Sequence, residues 1–173
     1  MCWTRALRGS PGADGFEPRT YPQGVRVWTL GPPTDRPFDG DSTLEKPGRW
    51  HRAGMRIAYT SESLPLALLE LLVHLDGVQV PDLRAYAIDV PETALAEVDP
   101  ATLPPGWDED PPPDALCDVT GRWLAERSTP ALRVPSAIVD EGWNILLNPE
   151  HSHWNRSLRP VESRPFEIDP RLL

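Results

Sequence analysis

The chain has 173 residues, enough for one compact domain with a hydrophobic core and too few for two ordinary domains. Its formal net charge of −9 argues against a general nucleic-acid or anionic-membrane binder, because both depend on positive potential. The 22 prolines exclude long uninterrupted helices, and no apolar run has the length that crosses a bilayer, so we expect a cytoplasmic, loop-rich α+β domain.

The first half of the chain predicts a leader, two strands and one clear helix. Residues 1–24 are rich in Gly, Pro, Arg and Asp without periodicity, which indicates a flexible N-terminal leader before a domain over 25–173. Strands are predicted over 25–30 and 56–60. The helix begins within Ser61–Pro65, where a serine is the cap, and continues to Leu75.

The second half predicts more strands and one short helix. Residues 100–116, rich in Pro and Asp, are a connection without regular structure. The remaining predicted elements are strand 83–90, helix 118–127, strand 131–134 with an extended continuation over 135–139, strand 143–148, and an edge strand within 158–168. This order favours mixed β-sheets with few peripheral helices over a regular βαβ array.

Glu70 is the first candidate for a chemical role. Between Leu64 and Leu75 it is the only formally charged side chain, and leucines or valine occupy nearly every neighbouring position. A carboxylate on an apolar helix is costly to bury unless a partner holds it, and only His74 lies one turn away with hydrogen-bonding capacity. A strong partner must therefore come from another segment. The alternatives are a solvated stripe or an ion pair with an arginine.

Arg49 is the second candidate, in a Gly-Arg-Trp sequence after a turn-rich loop. Its guanidinium is suited to clamping phosphate, although loop arginines are usually solvated. Arg26 and Tyr59, taken singly, are ordinary strand residues. Ser136 lacks a Gly-x-Ser-x-Gly elbow, no zinc-type or phosphate-loop motif occurs, and Cys2 and Cys117 lack a metal-type spacing, so we expect no metal site and no bound cofactor.

An ordered set of segments makes these candidates specific. The set is Arg26 on the first strand, Gly48-Arg49-Trp50, Tyr59-Thr60-Ser61, the helix Leu66–His74, Val134–Ala137, Asn144–His151 and the ending Phe166–Leu172. From about residue 26 onward the chain resembles the RES domain family, named for its Arg, Glu and Ser. Two positions depart from the usual pattern, because many members have Asn at the place of His51 and a second glycine at the place of Pro47.

The resemblance implies a fold and a function. The fold is similar to ADP-ribosyltransferases, with mixed β-sheets around a cleft. The implied activity is that of a toxin in a toxin–antitoxin pair, which cleaves the nicotinamide–ribose bond of its substrate NAD⁺. The resemblance assigns Arg49, Glu70 and Ser136 to the family's three named positions, and Arg26 and Tyr59 to further positions of the NAD⁺ pocket. It also implies an Xre-like antitoxin as partner and suggests a homodimer.

The assigned residues suit that chemistry. Glu70 would stabilise the oxocarbenium-like transition state or orient the nucleophile, and Arg49 and Arg26 would hold the diphosphate. Tyr59 would contact nicotinamide or ribose, and Ser136 would position the substrate or Glu70. Water, phosphate or a protein side chain remain possible acceptors, so the enzyme is a glycohydrolase, a phosphorylase or an ADP-ribosyltransferase.

Two other functions remain open at this point. One is a non-catalytic RES-like protein that only binds its Xre-like partner. The other is an RNA-directed toxin, which the net charge and the missing basic–aromatic pattern disfavour.

Overall fold

The computed structural model describes residues 24–34, 36–75, 82–154 and 158–173. The predicted leader, apart from Gly24, lies outside these residues. Within them the chain forms one seven-stranded mixed sheet and two α-helices, which confirms the expected α+β class. The elements in chain order are β1 (Gly24–Gly31), β2 (Ala58–Ser61), α1 (Leu64–Leu72), β3 (Leu83–Pro91), β4 (Leu95–Glu97), α2 (Leu116–Glu126), β5 (Ala131–Pro135), β6 (Trp143–Leu147) and β7 (Arg159–Phe166).

The sheet has the strand order β4-β5-β6-β2-β1-β3-β7, and every pair is antiparallel except β4 with β5. β1 and β3 pair along their whole lengths, whereas β1 and β2 are joined at the register pair Trp28 and Ser61. The sheet is therefore least extensively paired at its centre, between β1 and β2. A cavity lies beside this pair, as expected for the predicted cleft.

Both faces of the sheet carry apolar packing, as expected from alternating side chains on buried strands. On the first face, Ile145 and Leu147 of β6 pack in one cluster with Val27. On the second face, Leu146 of β6 packs in another cluster with Trp50 and with Trp123 of α2. The second face also carries α1, which packs against β1 and β2. The side chains of Tyr59, Ser61 and Asn144 lie on this second face as well, because side chains two residues apart on a strand share a face.

Helix α1 begins as the sequence predicted. Ser63 is the N-cap, and its hydroxyl accepts a hydrogen bond from the backbone N–H of Leu66 at 3.3 Å. Pro65 lies in the first turn, where its missing donor costs nothing. The helix ends at Leu72, three residues earlier than predicted, and Leu66 and Ala67 are its buried residues. Glu70 therefore lies in the last turn of the helix, two residues before Leu72.

Two strand predictions were incomplete. The extended continuation over 135–139 was wrong, because β5 ends at Pro135 and Ser136 starts a turn. The Ser136 hydroxyl accepts the backbone N–H groups of Ile138 and Val139 at 3.1 and 3.2 Å, and this local bonding competes with strand pairing. The three-residue strand β4 was missed. The predicted edge strand near the C-terminus is confirmed as β7, beside β3.

Candidate active site

A cavity of about 980 Å³ opens on the second face of the sheet, at the centre where β1 and β2 meet. This volume lies at the upper end of the range for small-molecule sites. Its walls come from β1, β2, α1, the loop before β2 and the proline-rich connection before α2. Within the described residues, no helix is long and apolar enough to cross a membrane.

Glu70 lies on the α1 wall of this cavity. Its Oε1 accepts two hydrogen bonds, from the Ser136 hydroxyl at 2.9 Å and from the Asn144 side-chain amide at 2.5 Å. Both donors come from other segments, as the sequence argument required. Oε2 makes no hydrogen bond to any of the described residues. One oxygen therefore fixes the carboxylate, and the other remains available at the cavity wall.

Ser136 acts on Glu70 rather than on the cavity surface. Its side chain is 5% exposed, and Ala137 and Ile138 line the cavity while Ser136 does not. Because its oxygen already accepts two backbone N–H groups, its single proton is directed to Glu70. The Ser136 hydroxyl therefore contacts Glu70, whereas its two expected roles, the positioning of Glu70 or of the substrate, stay predictions.

Arg49 lies at the tip of a tight loop that borders the cavity. The loop is closed by paired backbone bonds between Gly48 and His51, with N–O distances of 3.0 and 3.3 Å. Arg49 Nη1 donates to the backbone oxygens of Trp107 and Glu109, at 2.7 and 2.8 Å. Among the described residues both bonds use Nη1, so the other guanidinium nitrogens keep their donors for a ligand.

Tyr59 and His51 form a buried pair beside this loop. His51 Nε2 faces the backbone oxygen of Lys46 at 2.9 Å, and this oxygen can only accept, so Nε2 carries a proton. In the neutral ring Nδ1 then accepts from the Tyr59 hydroxyl at 2.7 Å. Burial lowers the pKa of His51 and raises the pKa of Tyr59, which favours this neutral arrangement. The Tyr59 hydroxyl is thus occupied, and its ring lines the cavity.

Arg26 is not brought to the cavity wall. Its guanidinium pairs with Asp89 on the adjacent strand β3, with Nε 2.8 Å from Oδ1 and Nη2 3.1 Å from Oδ2. The two residues are directly opposite in the antiparallel register, where charge pairs stabilise a sheet. Trp28, two residues further along β1, lines the cavity in its place.

The connection before α2 brings negative charge to the cavity. Asp108, Asp110 and Asp114 line it, as do Arg49 and Arg52, which donate to backbone oxygens of the same connection. Arg52 is paired with Asp118 at 2.8 Å, whereas the bonds of Arg49 go to neutral backbone oxygens. Of these two cavity arginines, Arg49 is therefore the one whose charge is less compensated and more available to an anionic ligand.

Comparison with known sequences decides the family. The profile of the RES domain matches residues 26–169. The chain belongs to the RES domain family. It is 34% identical over 126 residues to "Toxin Res" of Yersinia enterocolitica, an alignment that covers 72% of this chain and 83% of that protein. It is 37% identical over 131 residues to the "Prs ADP-ribosylating toxin" of a Sphingobium species, covering 73% of this chain and 80% of that protein.

A solved structure has a similar fold. A chain in the crystal structure of the M. tuberculosis MbcT–MbcA toxin–antitoxin complex is similar to this chain with a TM-score of 0.65. The sequences are 14% identical, and the match covers 83% of this chain and 84% of that chain. At this identity the likeness concerns the fold. The relatives place this RES protein among toxins.

Sequence reasoning assigned no role to three residues of the cavity wall, namely Trp28, Ser61 and Asn144. Asn144 carried a detectable signal, because asparagine is uncommon inside a strand and its neighbours from Ile145 to Leu147 are all apolar. Ser61 lies in a segment that resembles the family, but it also precedes a helix and was interpreted as part of the capping sequence. Its partnership with Asn144 depends on the register between β2 and β6.

Proposed function

We propose that this RES protein is the toxin of a toxin–antitoxin pair, and that it binds NAD⁺ in the cavity and cleaves the nicotinamide–ribose bond. The observation that carries the proposal is the fixed carboxylate of Glu70. Two donors hold one of its oxygens, and the other is available at the wall of a cavity large enough for a dinucleotide.

The reaction needs little acid catalysis. The bond between ribose C1′ and the nicotinamide nitrogen breaks, and its electron pair neutralises the pyridinium ring. Positive charge then develops on C1′ and the ring oxygen, as in other glycosidic cleavages. A carboxylate near C1′ stabilises this charge and takes the proton of the incoming nucleophile. We assign both tasks to Oε2 of Glu70.

Arg49 is assigned to the diphosphate. Its Nη1 is anchored on two backbone oxygens, which fixes the guanidinium plane and leaves Nη2 and Nε for phosphate oxygens. Trp28 and the ring of Tyr59 supply aromatic walls against which nicotinamide or adenine can stack. Arg26, which is paired with Asp89, is assigned a supporting role on the same face of β1 as Trp28.

The acceptor of ADP-ribose is water, phosphate or a protein side chain, since all three share this first step. The proposed partner is an Xre-like antitoxin that covers the cavity, and homodimerisation remains part of the proposal. NAD⁺ is consumed as a substrate, so no resident cofactor is assigned.

Product analysis with purified protein tests the proposal. NAD⁺ is incubated with the native chain in buffer, with inorganic phosphate, and with a cell extract, and nicotinamide, ADP-ribose, its phosphorylated form and modified protein are quantified. We expect nicotinamide release by the native chain and by Glu62→Gln, and none by Glu70→Gln. Glu62 is a suitable control because it binds Arg133 and the Trp143 backbone outside the cavity lining.

Two results would refute this assignment. Unchanged nicotinamide release by Glu70→Gln would exclude Glu70 as the reacting carboxylate. Intact NAD⁺ with the folded native chain, together with tight binding of the Xre-like partner, would favour the alternative of a non-catalytic RES protein.

A further inference from the structure

Asn144 is a buried polar residue in an apolar strand. Its side chain is 8% exposed, and the next three residues of β6 are all fully buried and apolar. A buried amide without partners is costly, and asparagine is depleted in strands. Its two side-chain bonds, to Glu70 and to Ser61, satisfy the amide in this position.

The orientation of the Asn144 amide follows from its partners. An ionised Glu70 can only accept, so the Asn144 nitrogen must face it and the Asn144 oxygen must face the opposite way. There it accepts the Ser61 hydroxyl at 2.7 Å. Ser61 is opposite Asn144 in the register of β2 and β6, and it is 3% exposed. A flip of the amide would turn its oxygen toward the carboxylate and lose the bond to Glu70, whereas the Ser61 hydroxyl can bond to either end of the amide.

The bonds to Ser136 and Asn144 determine which carboxylate oxygen of Glu70 is free. Ser136 approaches Oε1 from the turn after β5, and Asn144 approaches the same oxygen from β6. Two donors on one oxygen fix the carboxylate plane more firmly than a single donor, because rotation of the carboxylate would break both bonds. Without Asn144 the group could turn about the remaining bond to Ser136.

We propose that Asn144 is a positioning residue that directs Oε2 of Glu70 toward the substrate, and that Ser61 holds the Asn144 amide in place from the opposite side. The inference rests on the proposed function, since it concerns the carboxylate assigned to the reaction. The residues that hold the Glu70 carboxylate would then include Asn144 and Ser61 on the central strands β6 and β2, in addition to Ser136 after β5.

Steady-state kinetics with NAD⁺ test the role of Asn144. Asn144→Ala removes a hydrogen bond to a charged group, so we expect kcat to fall about ten- to a hundredfold while KM stays within about threefold. The matched control is Asn148→Ala. Asn148 is a buried asparagine that follows the same strand, but its side chain accepts from the Glu150 backbone. We expect this control to lose stability and keep its kcat.

Variants of Ser61 distinguish a role of its hydroxyl in holding Asn144 from a role of its side-chain volume in packing. Ser61→Ala removes a neutral hydrogen bond and is expected to lower kcat about two- to tenfold, whereas Ser61→Thr, which keeps the hydroxyl, recovers most of that loss. Unchanged kcat in folded Asn144→Ala would overturn the inference. Equal kcat values for Ser61→Ala and Ser61→Thr would overturn the part assigned to Ser61.

A measurement without turnover keeps the inference testable on its own. In ¹⁵N-labelled protein, the side-chain amide signals of Asn144, assigned by their loss in Asn144→Asp, should shift in both Glu70→Gln and Ser61→Ala. Identical Asn144 signals in the native chain, Glu70→Gln and Ser61→Ala would contradict the hydrogen bonds of Asn144 to Glu70 and Ser61. If the native chain consumed no NAD⁺ but these signals shifted, the network would stand and the failure would belong to the proposed reaction alone.

Discussion

Gly48→Ala is a sharp test of how the Arg49 loop is built. A Cβ at Gly48 would lie 2.6 Å from Cε1 and 2.9 Å from Nδ1 of His51, closer than carbon atoms approach without displacement. The His51 ring cannot move freely, because it is 5% exposed and both nitrogens are hydrogen-bonded. Either the ring leaves Tyr59 and Lys46, or the backbone pairing of Gly48 with His51 opens.

The cost follows from these contacts. Overpacking a fixed site costs about 1–3 kcal/mol, and each of the two lost hydrogen bonds adds about 0.5–1.5 kcal/mol, so we expect a total of about 2–6 kcal/mol. In a domain of this length that corresponds to a decrease in Tm of roughly 4–24 °C. Because Arg49 lies between the two paired residues, its guanidinium is displaced as well, and KM for NAD⁺ should rise.

Thermal unfolding and NAD⁺ kinetics measure both effects. Gly121→Ala is the control, because a Cβ there would meet only Met55 Cε, at 3.9 Å, and alanine favours the helix. We expect Gly121→Ala to keep or raise Tm. The double variant Gly48→Ala with His51→Ala should lose less than the sum of its parts, since the smaller side chain removes the clash. A native Tm and KM in Gly48→Ala would refute this account of the loop.

Three further predictions follow from the site. Arg49→Lys should raise KM for NAD⁺ about tenfold or more with a smaller change in kcat, because a lysine ammonium cannot replace the planar, two-point donors of the guanidinium. An unchanged KM would exclude Arg49 as the residue that binds the diphosphate. Ser136→Ala should lower kcat roughly tenfold or more while NAD⁺ binding, measured by calorimetry, persists, whereas a loss confined to binding would assign the serine to the substrate. The lowered pKa of His51 stabilises the fold fully above its usual value of 6.5, and this contribution is lost as pH falls through the lowered pKa. Urea unfolding between pH 7.5 and 5 should therefore show a smaller acid-dependent loss in His51→Asn than in the native chain, and equal slopes would contradict the neutral, buried histidine.

Local sequence signals predicted those parts of the fold that depend on neighbouring residues. The cap at Ser63 and the apolar helix around Glu70 are encoded within about ten residues, and α1 appears where expected. The β1 and β3 strands also follow from alternation alone. The end of β5 was missed because the bonds of the Ser136 hydroxyl to the following backbone replace strand pairing there.

The assembly of the site depends on register, which no local pattern encodes. That Glu70 needed a partner from a distant segment followed from the sequence, but the choice of Ser136 rested on the family resemblance and Asn144 was not found. Asn144 reaches Glu70 because β6 lies beside β2 with Ser61 opposite. Likewise Asp89 lies opposite Arg26 only in the register of β1 and β3, where the two side chains form an ion pair.

The central claim is that this RES protein consumes NAD⁺ through Glu70. The most direct measurement is the NAD⁺ level in cells that briefly express the native chain, Glu70→Ala or an empty vector, with soluble protein levels matched. The account predicts rapid loss of NAD⁺ with the native chain alone. Stable NAD⁺ in cells containing soluble, folded native protein, or equal loss with Glu70→Ala, would contradict it.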